Sequence, residues 1–192
     1  MEKSDLMKII GIDDIIDLPK RIMEIISGDV CERDNIYKLM LQANKYDLSY
    51  VWFQKIYEED FAQRKQNKQD FTPNELGILC SEIVNSKGVV HEPTAGNGSM
   101  LIANWYNNLR KQLVWQFFPS DYMVDCWELS ARAIPLLLFN LSIRGMMGVV
   151  HHGDVLEKQE KCRYLLLNKA DDALAFSDVI IDVECSKIIK KV

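Results

Sequence analysis

The stretch Glu92-Pro93-Thr94-Ala95-Gly96-Asn97-Gly98-Ser99 decides how this sequence reads. It lies between the short apolar run Val89-Val90-His91 and a helical pattern over about 99–110, so it marks a strand giving way to a helix. Two glycines two apart let the backbone turn sharply and approach a ligand with no Cβ in the way. The helix that follows offers free N–H groups. No third glycine follows, so the dinucleotide-binding fingerprint is incomplete. Taken alone, the turn also reads as a plain tight connection.

Upstream, Thr72-Pro73-Asn74-Glu75 forms a capping box with proline at the first helical position, and Leu76, Leu79, Cys80, Ile83 and Val84 follow on one helical face. Downstream, the pattern predicts a strand over 122–127, then a helix capped by Ser130. That helix carries Ile134, Leu137, Leu138 and Leu141 on its apolar face and Pro135 in its first turns. A third strand fits 148–151. Beyond it, 163–167 and 173–183 read either as a hairpin around 169–172 or with the second segment alone as a central strand. Short apolar runs alternating with helical patterns predict an α/β fold with a parallel sheet.

Polar residues close each of these strands. Trp127-Glu128 ends the second, where a carboxylate can accept two hydrogen bonds from a ribose diol; an ordinary helix N-terminal acid is the other reading. Gly153-Asp154 follows the third, where Asp154 can accept a hydrogen bond from an adenine amino group or serve as a turn aspartate. Three polar sites at the ends of three consecutive strands fall where open α/β sheets bind ligands, which favours a nucleotide-like ligand over three unrelated turns.

Before residue 70 the pattern is different. Apolar residues recur at helical spacing as Leu6, Ile9, Ile10; Ile22, Ile25, Ile26; Ile36, Leu39, Met40; and Phe53, Ile56, Tyr57. Asp17 with Pro19 signals a helix start and Gly28 its stop. Residues 1–66 are thus expected to be a helical N-terminal domain of three or four short helices, joined by the polar connector 63–70 to a second domain over 67–192.

Composition narrows the functional classes. The chain has 192 residues, 48% hydrophobic and 27% charged, enough to bury one core or two small ones. A net charge of -5 excludes a strongly cationic nucleic-acid coat. The cysteines Cys31, Cys80, Cys126, Cys162 and Cys185 contain no Cys-x-x-Cys pair, and His91, His151 and His152 offer no His-x-x-x-His pair, so no metal is expected. Adjacent His151 and His152 on a strand point to opposite faces. No signal segment or span-length apolar run is present, so a cytoplasmic protein without membrane contact is expected. There is no nucleophile elbow and no Gly-Lys-Ser/Thr phosphate loop.

Together, Phe71-Thr72-Pro73, Glu92-Pro-Thr-Ala-Gly-Asn-Gly, Cys126-Trp-Glu128 with Asn140-Leu141, and His152-Gly-Asp154-Val-Leu resemble the layout of N6-adenine DNA methyltransferases. The resemblance is nearest to modification subunits of type I restriction systems, and it covers about 70–156. It implies a class I methyltransferase (Rossmann-like) sheet over 67–192 and S-adenosylmethionine as cofactor. It also implies DNA as a partner and a protein partner that supplies target recognition. Carried over, Phe71, Thr72 and Pro73 would lie by the methionine portion, and Glu92, Pro93, Thr94, Gly96 and Gly98 would build the turn and floor beneath it. Glu128 would hold the ribose, Trp127 would flank the adenine, and Asp154 would meet its amino group.

The chain departs from that family at the catalytic segment, Asn or Asp followed by Pro-Pro and an aromatic. No Pro-Pro occurs. The stretch 177–185 stands in the corresponding place, which leaves Asp182 and Glu184 as candidate catalytic replacements and the sheet expected to be incomplete after its fourth strand. Transfer to an exocyclic amine needs in-line alignment and a held, flipped base. The expectation is therefore a reduced relative that binds the cofactor and works with a partner. The alternatives are an active methyltransferase using Asp182, Glu184 or a partner's segment, and a non-catalytic interaction module. Arg64, Lys65 and Lys68 read as a phosphate contact or a solvated linker, Lys187, Lys190 and Lys191 as a solubilising tail. Trp105, Trp115, Phe117 and Phe118 read as core, or Trp115 to Phe118 as a partner-binding patch.

Overall fold

A computed structural model describes residues 2–56, 72–84 and 87–182. Phe71, Glu184, Cys185, the 63–70 connector, the expected domain boundary at 66/67 and the lysine tail lie outside the described residues. The chain folds as an α/β structure around a five-stranded mixed sheet in the order β1-β2-β3-β4-β5. Its strands are β1 (Val90–Glu92), β2 (Val124–Glu128), β3 (Gly148–Asp154), β4 (Gln159–Leu167) and β5 (Asp178–Ile181).

The first three strands are parallel, with Val90 opposite Val124 and Val124 opposite Gly148. Parallel neighbours require a crossover. Helix α6 (Ser99–Leu109) supplies it between β1 and β2, and α7 (Ala133–Ser142) between β2 and β3. β4 then pairs antiparallel with β3, and β5 antiparallel with β4. Of the two readings left open for 163–183, the hairpin is the one the structure shows. A further hairpin through 155–158, which the sequence reading lacked, lengthens β3 to Asp154.

The four-residue stretch 178–181 thus sits at the sheet edge opposite β1. A doubly wound sheet would instead return its next strand to the free side of β1.

The N-terminal helices are α1 (Lys3–Ile10), α2 (Leu18–Ser27), α3 (Val30–Ala43) and the single turn α4 (Gln54–Ile56). Pro19 stands in the first turn of α2 and Gly28 caps its end, as the sequence signals. Every residue of α7 from Ala133 to Ser142 is buried, because the sheet covers one side and these helices the other. Tyr37 packs edge-on against Phe139, and its hydroxyl meets the Ser142 hydroxyl at 2.5 Å. Leu6, Leu18, Phe53, Phe139 and Val150 belong to one continuous core.

Arg144 fixes the same junction. Its fully buried guanidinium donates to the carbonyls of Leu48, Tyr50 and Asn140 and lies over the Trp52 ring, and burial without a carboxylate partner pushes its pKa down to about 9.

Helix α5 (Asn74–Val84) forms where the capping pattern places it, but its apolar face is turned outward. Leu79 and Ile83 are 56% and 74% exposed. Helix α5 meets α6 through small residues instead: Ser81 is buried, and a Cβ on Gly77 would stand 3.0 Å from that of Ala103. Trp105 and Phe117 are core, whereas Trp115 and Phe118 are exposed. Among the described residues no helix is long and apolar enough to cross a membrane, and no group of His, Cys, Asp or Glu is placed to hold a metal ion.

Candidate functional site

A cavity of about 400 Å³ opens at the carboxyl ends of β1, β2 and β3. Crossovers on one face make the strand-to-helix loops converge there. Of the residues singled out from sequence, Thr72, Glu92, Pro93, Thr94, Gly96, Glu128 and Asp154 line it.

Glu128 organises the site. It is 8% exposed, and its two oxygens accept from different loops, Oε2 from the Gly96 N–H at 2.8 Å and Oε1 from the Ser130 N–H at 2.7 Å. Burial raises its pKa, against the opposing pull of the N–H groups of Ser130, Gly96 and Leu129. Each oxygen retains a lone pair for a ligand hydroxyl. The same two loops are joined by Ala95 N–H donating to the Trp127 carbonyl at 2.8 Å.

Gly96 and Gly98 both have left-handed backbone, φ 56° and 96°. Gly98 does not line the cavity. It is buried under it, where a Cβ would come within 3.0 Å of Leu137 Cδ1. It caps α6 without any side-chain hydrogen bond, so the first N–H groups of that helix remain open toward the cavity, which Ser99 and Met100 line. Beside them Asn97 is 2% exposed and neither Oδ1 nor Nδ2 has a hydrogen-bond partner among the described residues.

On the far wall, Asp154 Oδ1 accepts from the N–H groups of Leu156 and Glu157 at 2.9 and 3.1 Å. This is a turn aspartate's geometry. The residue also lines the cavity. Glu92 Oε1 accepts from Thr94 N–H at 3.4 Å.

Three candidates stand elsewhere. Pro73 precedes α5 and is exposed without lining the cavity. Trp127 projects to the opposite face of the sheet from Glu128, as neighbours on a strand must, and stacks on His151 with ring centroids 4.6 Å apart. Asp182 follows β5, two strands beyond β3 and so about 10 Å away by strand spacing, outside the cavity.

Sequence reasoning missed Leu129 and Leu156, which line the cavity as exposed apolar residues, 55% and 90%. Their signal is positional: each falls one or two residues after an acidic strand end. Comparison with protein-family models finds none that matches this chain, and comparison with curated proteins finds no match.

Proposed function

We propose that the chain binds S-adenosylmethionine at the carboxyl ends of β1, β2 and β3 and acts, with a protein partner, as a reduced relative of the N6-adenine DNA methyltransferases. The observation that carries this reading is the convergence of Glu128, Asp154, the Gly96 turn and the open N-terminus of α6 on one cavity. At about 400 Å³ it falls within the size range of small-molecule sites, about 300–1,000 Å³.

The residues fit the group on their own chemistry. The orphaned amide of Asn97 and the uncapped N–H groups of α6 suit a carboxylate. The remaining lone pairs of Glu128 suit a ribose diol, and those of Asp154 an exocyclic amino group. Leu129 and Leu156 supply apolar surface for the faces of a base. When bound, S-adenosylmethionine supplies an electrophilic methyl group on a sulfonium.

The chain's own residues would bind and orient that ligand, and exclude water beneath it through the buried Gly98–Leu137 contact. Holding a methyl acceptor is a separate task. Among the described residues no aromatic beside an Asn or Asp lines the cavity, and Asp182 stands at another part of the sheet, so the acceptor side is assigned to a partner. A purely interacting role draws its support from the outward apolar face of α5.

Calorimetric titration of the purified chain with S-adenosylhomocysteine separates the two. The proposal expects one-to-one binding that Glu128→Ala weakens about tenfold or more. Absence of binding near millimolar ligand would leave the interacting role.

A further inference from the structure

Helix α5 meets α6 on one side and leaves its apolar side unused. At about 100° per residue, Leu76, Leu79, Cys80 and Ile83 share one stripe about 100° wide, while Gly77 and Ser81, which meet α6, lie on another side. The stripe contains no charged residue. Glu82, on its flank, is bound by Arg110 and by Lys111, the latter at 3.6 Å. Leu113 and Trp115 follow Lys111 within four residues and extend the exposed face at that end.

The extent of this face sets the kind of contact it can make. Leu76, Leu79, Ile83, Val84, Leu113 and Trp115 are between 47% and 74% exposed. Taking about 100 Å² for an aliphatic side chain and about 200 Å² for an indole, they present about 450 Å² of apolar surface. A standard protein–protein interface buries about 800 Å² per partner, of which about 450–500 Å² is apolar, so this face alone meets what a stable dimer needs.

The charges decide what fits. Glu75 stands in the first turn of α5, and the opposite end carries Arg110 and Lys111 against the single acid Glu82. The two ends of the face are therefore opposite in sign. A two-fold axis beside Leu79 and Cys80 sets α5 antiparallel to α5 of a second copy, so that Leu76 of each copy meets Ile83 of the other. The same operation carries each Glu75 to the level of Val84 of the other copy, at its Arg110 and Lys111 end. Apolar stripe then meets apolar stripe, and acid meets base, in one symmetric contact.

We infer that the outward face of α5 is a dimer interface, and that its occupant is a second copy of this chain in antiparallel, two-fold contact. None of these residues lines the cavity, so the inference stands apart from the ligand reading.

Light scattering and sedimentation of the full chain test it. At about 100 μM, above the micromolar end of affinities for interfaces of this size, the chain is expected to be dimeric. Leu79→Glu, which sets a carboxylate at the axis, weakens the dimer about thirtyfold or more. Leu79 is exposed within one copy, so at dilutions where both are monomeric the variant melts with the unsubstituted chain, which separates a lost contact from a lost fold. Glu75→Lys, at the rim, weakens the dimer about threefold, a difference that high salt removes. Amide exchange gives the location: it slows over 76–84 as concentration rises, and not over 178–181. A chain that is monomeric at that concentration overturns the inference and leaves the face to a different protein. A dimer that Leu79→Glu and Glu75→Lys leave intact overturns it as well, because the contact then lies elsewhere.

Discussion

The parallel half of the sheet, β1 to β3, and the antiparallel half, β4 and β5, are built from similar residues yet only one makes a site. In the parallel half every connection is a helix that returns the chain to the same end, so three strand ends deliver Glu92, Glu128 and Asp154 to one place. In the antiparallel half the connections alternate between ends, and the acidic residues Glu160 and Asp178 become ties between strands and to helix α3. Polar residues at strand ends are thus informative only where the topology gathers them.

The largest effect expected from breaking this comparison is on stability. Gly148 begins β3 with φ 142°, and a Cβ there would stand 1.9 Å from the Val124 carbonyl oxygen. Gly148→Ala is expected to cost about 3 kcal/mol or more in denaturant unfolding, whereas Ile180→Thr, on the exposed face of β5, costs about 1 kcal/mol or less.

Ligand affinity comes next. Glu128→Ala removes the acceptor of two loop N–H groups, weakens S-adenosylhomocysteine about tenfold or more, and costs about 1–3 kcal/mol of stability. Asp182→Ala leaves affinity within about twofold, since residue 182 lies at the far side of the sheet. An Asp182 effect equal to that of Glu128 would erase the distinction between the halves.

The smallest effects are in pH dependence, where the halves titrate in different windows. Burial lowers the His152 pKa, Lys161 adds to this, and the Leu129 carbonyl opposes it. The unfolded chain therefore binds more protons, and stability falls as pH drops below the usual histidine value of about 6.5; His152→Asn removes that slope. Burial raises the Asp178 pKa, but hydrogen bonds from Lys169 and Arg33 outweigh it and hold the group below its ordinary value. Its contribution is present above the usual aspartate value of about 3.9 and is lost as pH falls through the lower folded value, a limb that Asp178→Asn flattens. Acid and near-neutral melting curves of the two variants check both.

Much of the parallel half was legible because its signals are local: the proline and capping pattern before α5, two glycines after β1, and an acid after each of the next two strands. What local signals do not carry is which face of an element finds a partner. The apolar positions of α5 read as a packing face, yet Gly77 and Ser81 let α6 approach the opposite side. The family resemblance sets Trp127 beside the adenine, yet strand alternation sends it to the face opposite Glu128. The turn at 155–158 has neither glycine nor proline and instead places Lys158 at φ 53°, so nothing in the sequence marked it. The place of 178–181 was beyond reach for a different reason: its pairing with β4 or with β1 is a choice between tertiary partners that the segment's own pattern does not contain.

Amide chemical-shift mapping with S-adenosylhomocysteine tests the central claim most directly. The account predicts shifts at Gly96, Ser99, Leu129 and Leu156, around the cavity, and none over 178–182. Shifts centred on β5, or none anywhere at saturating ligand, would contradict it.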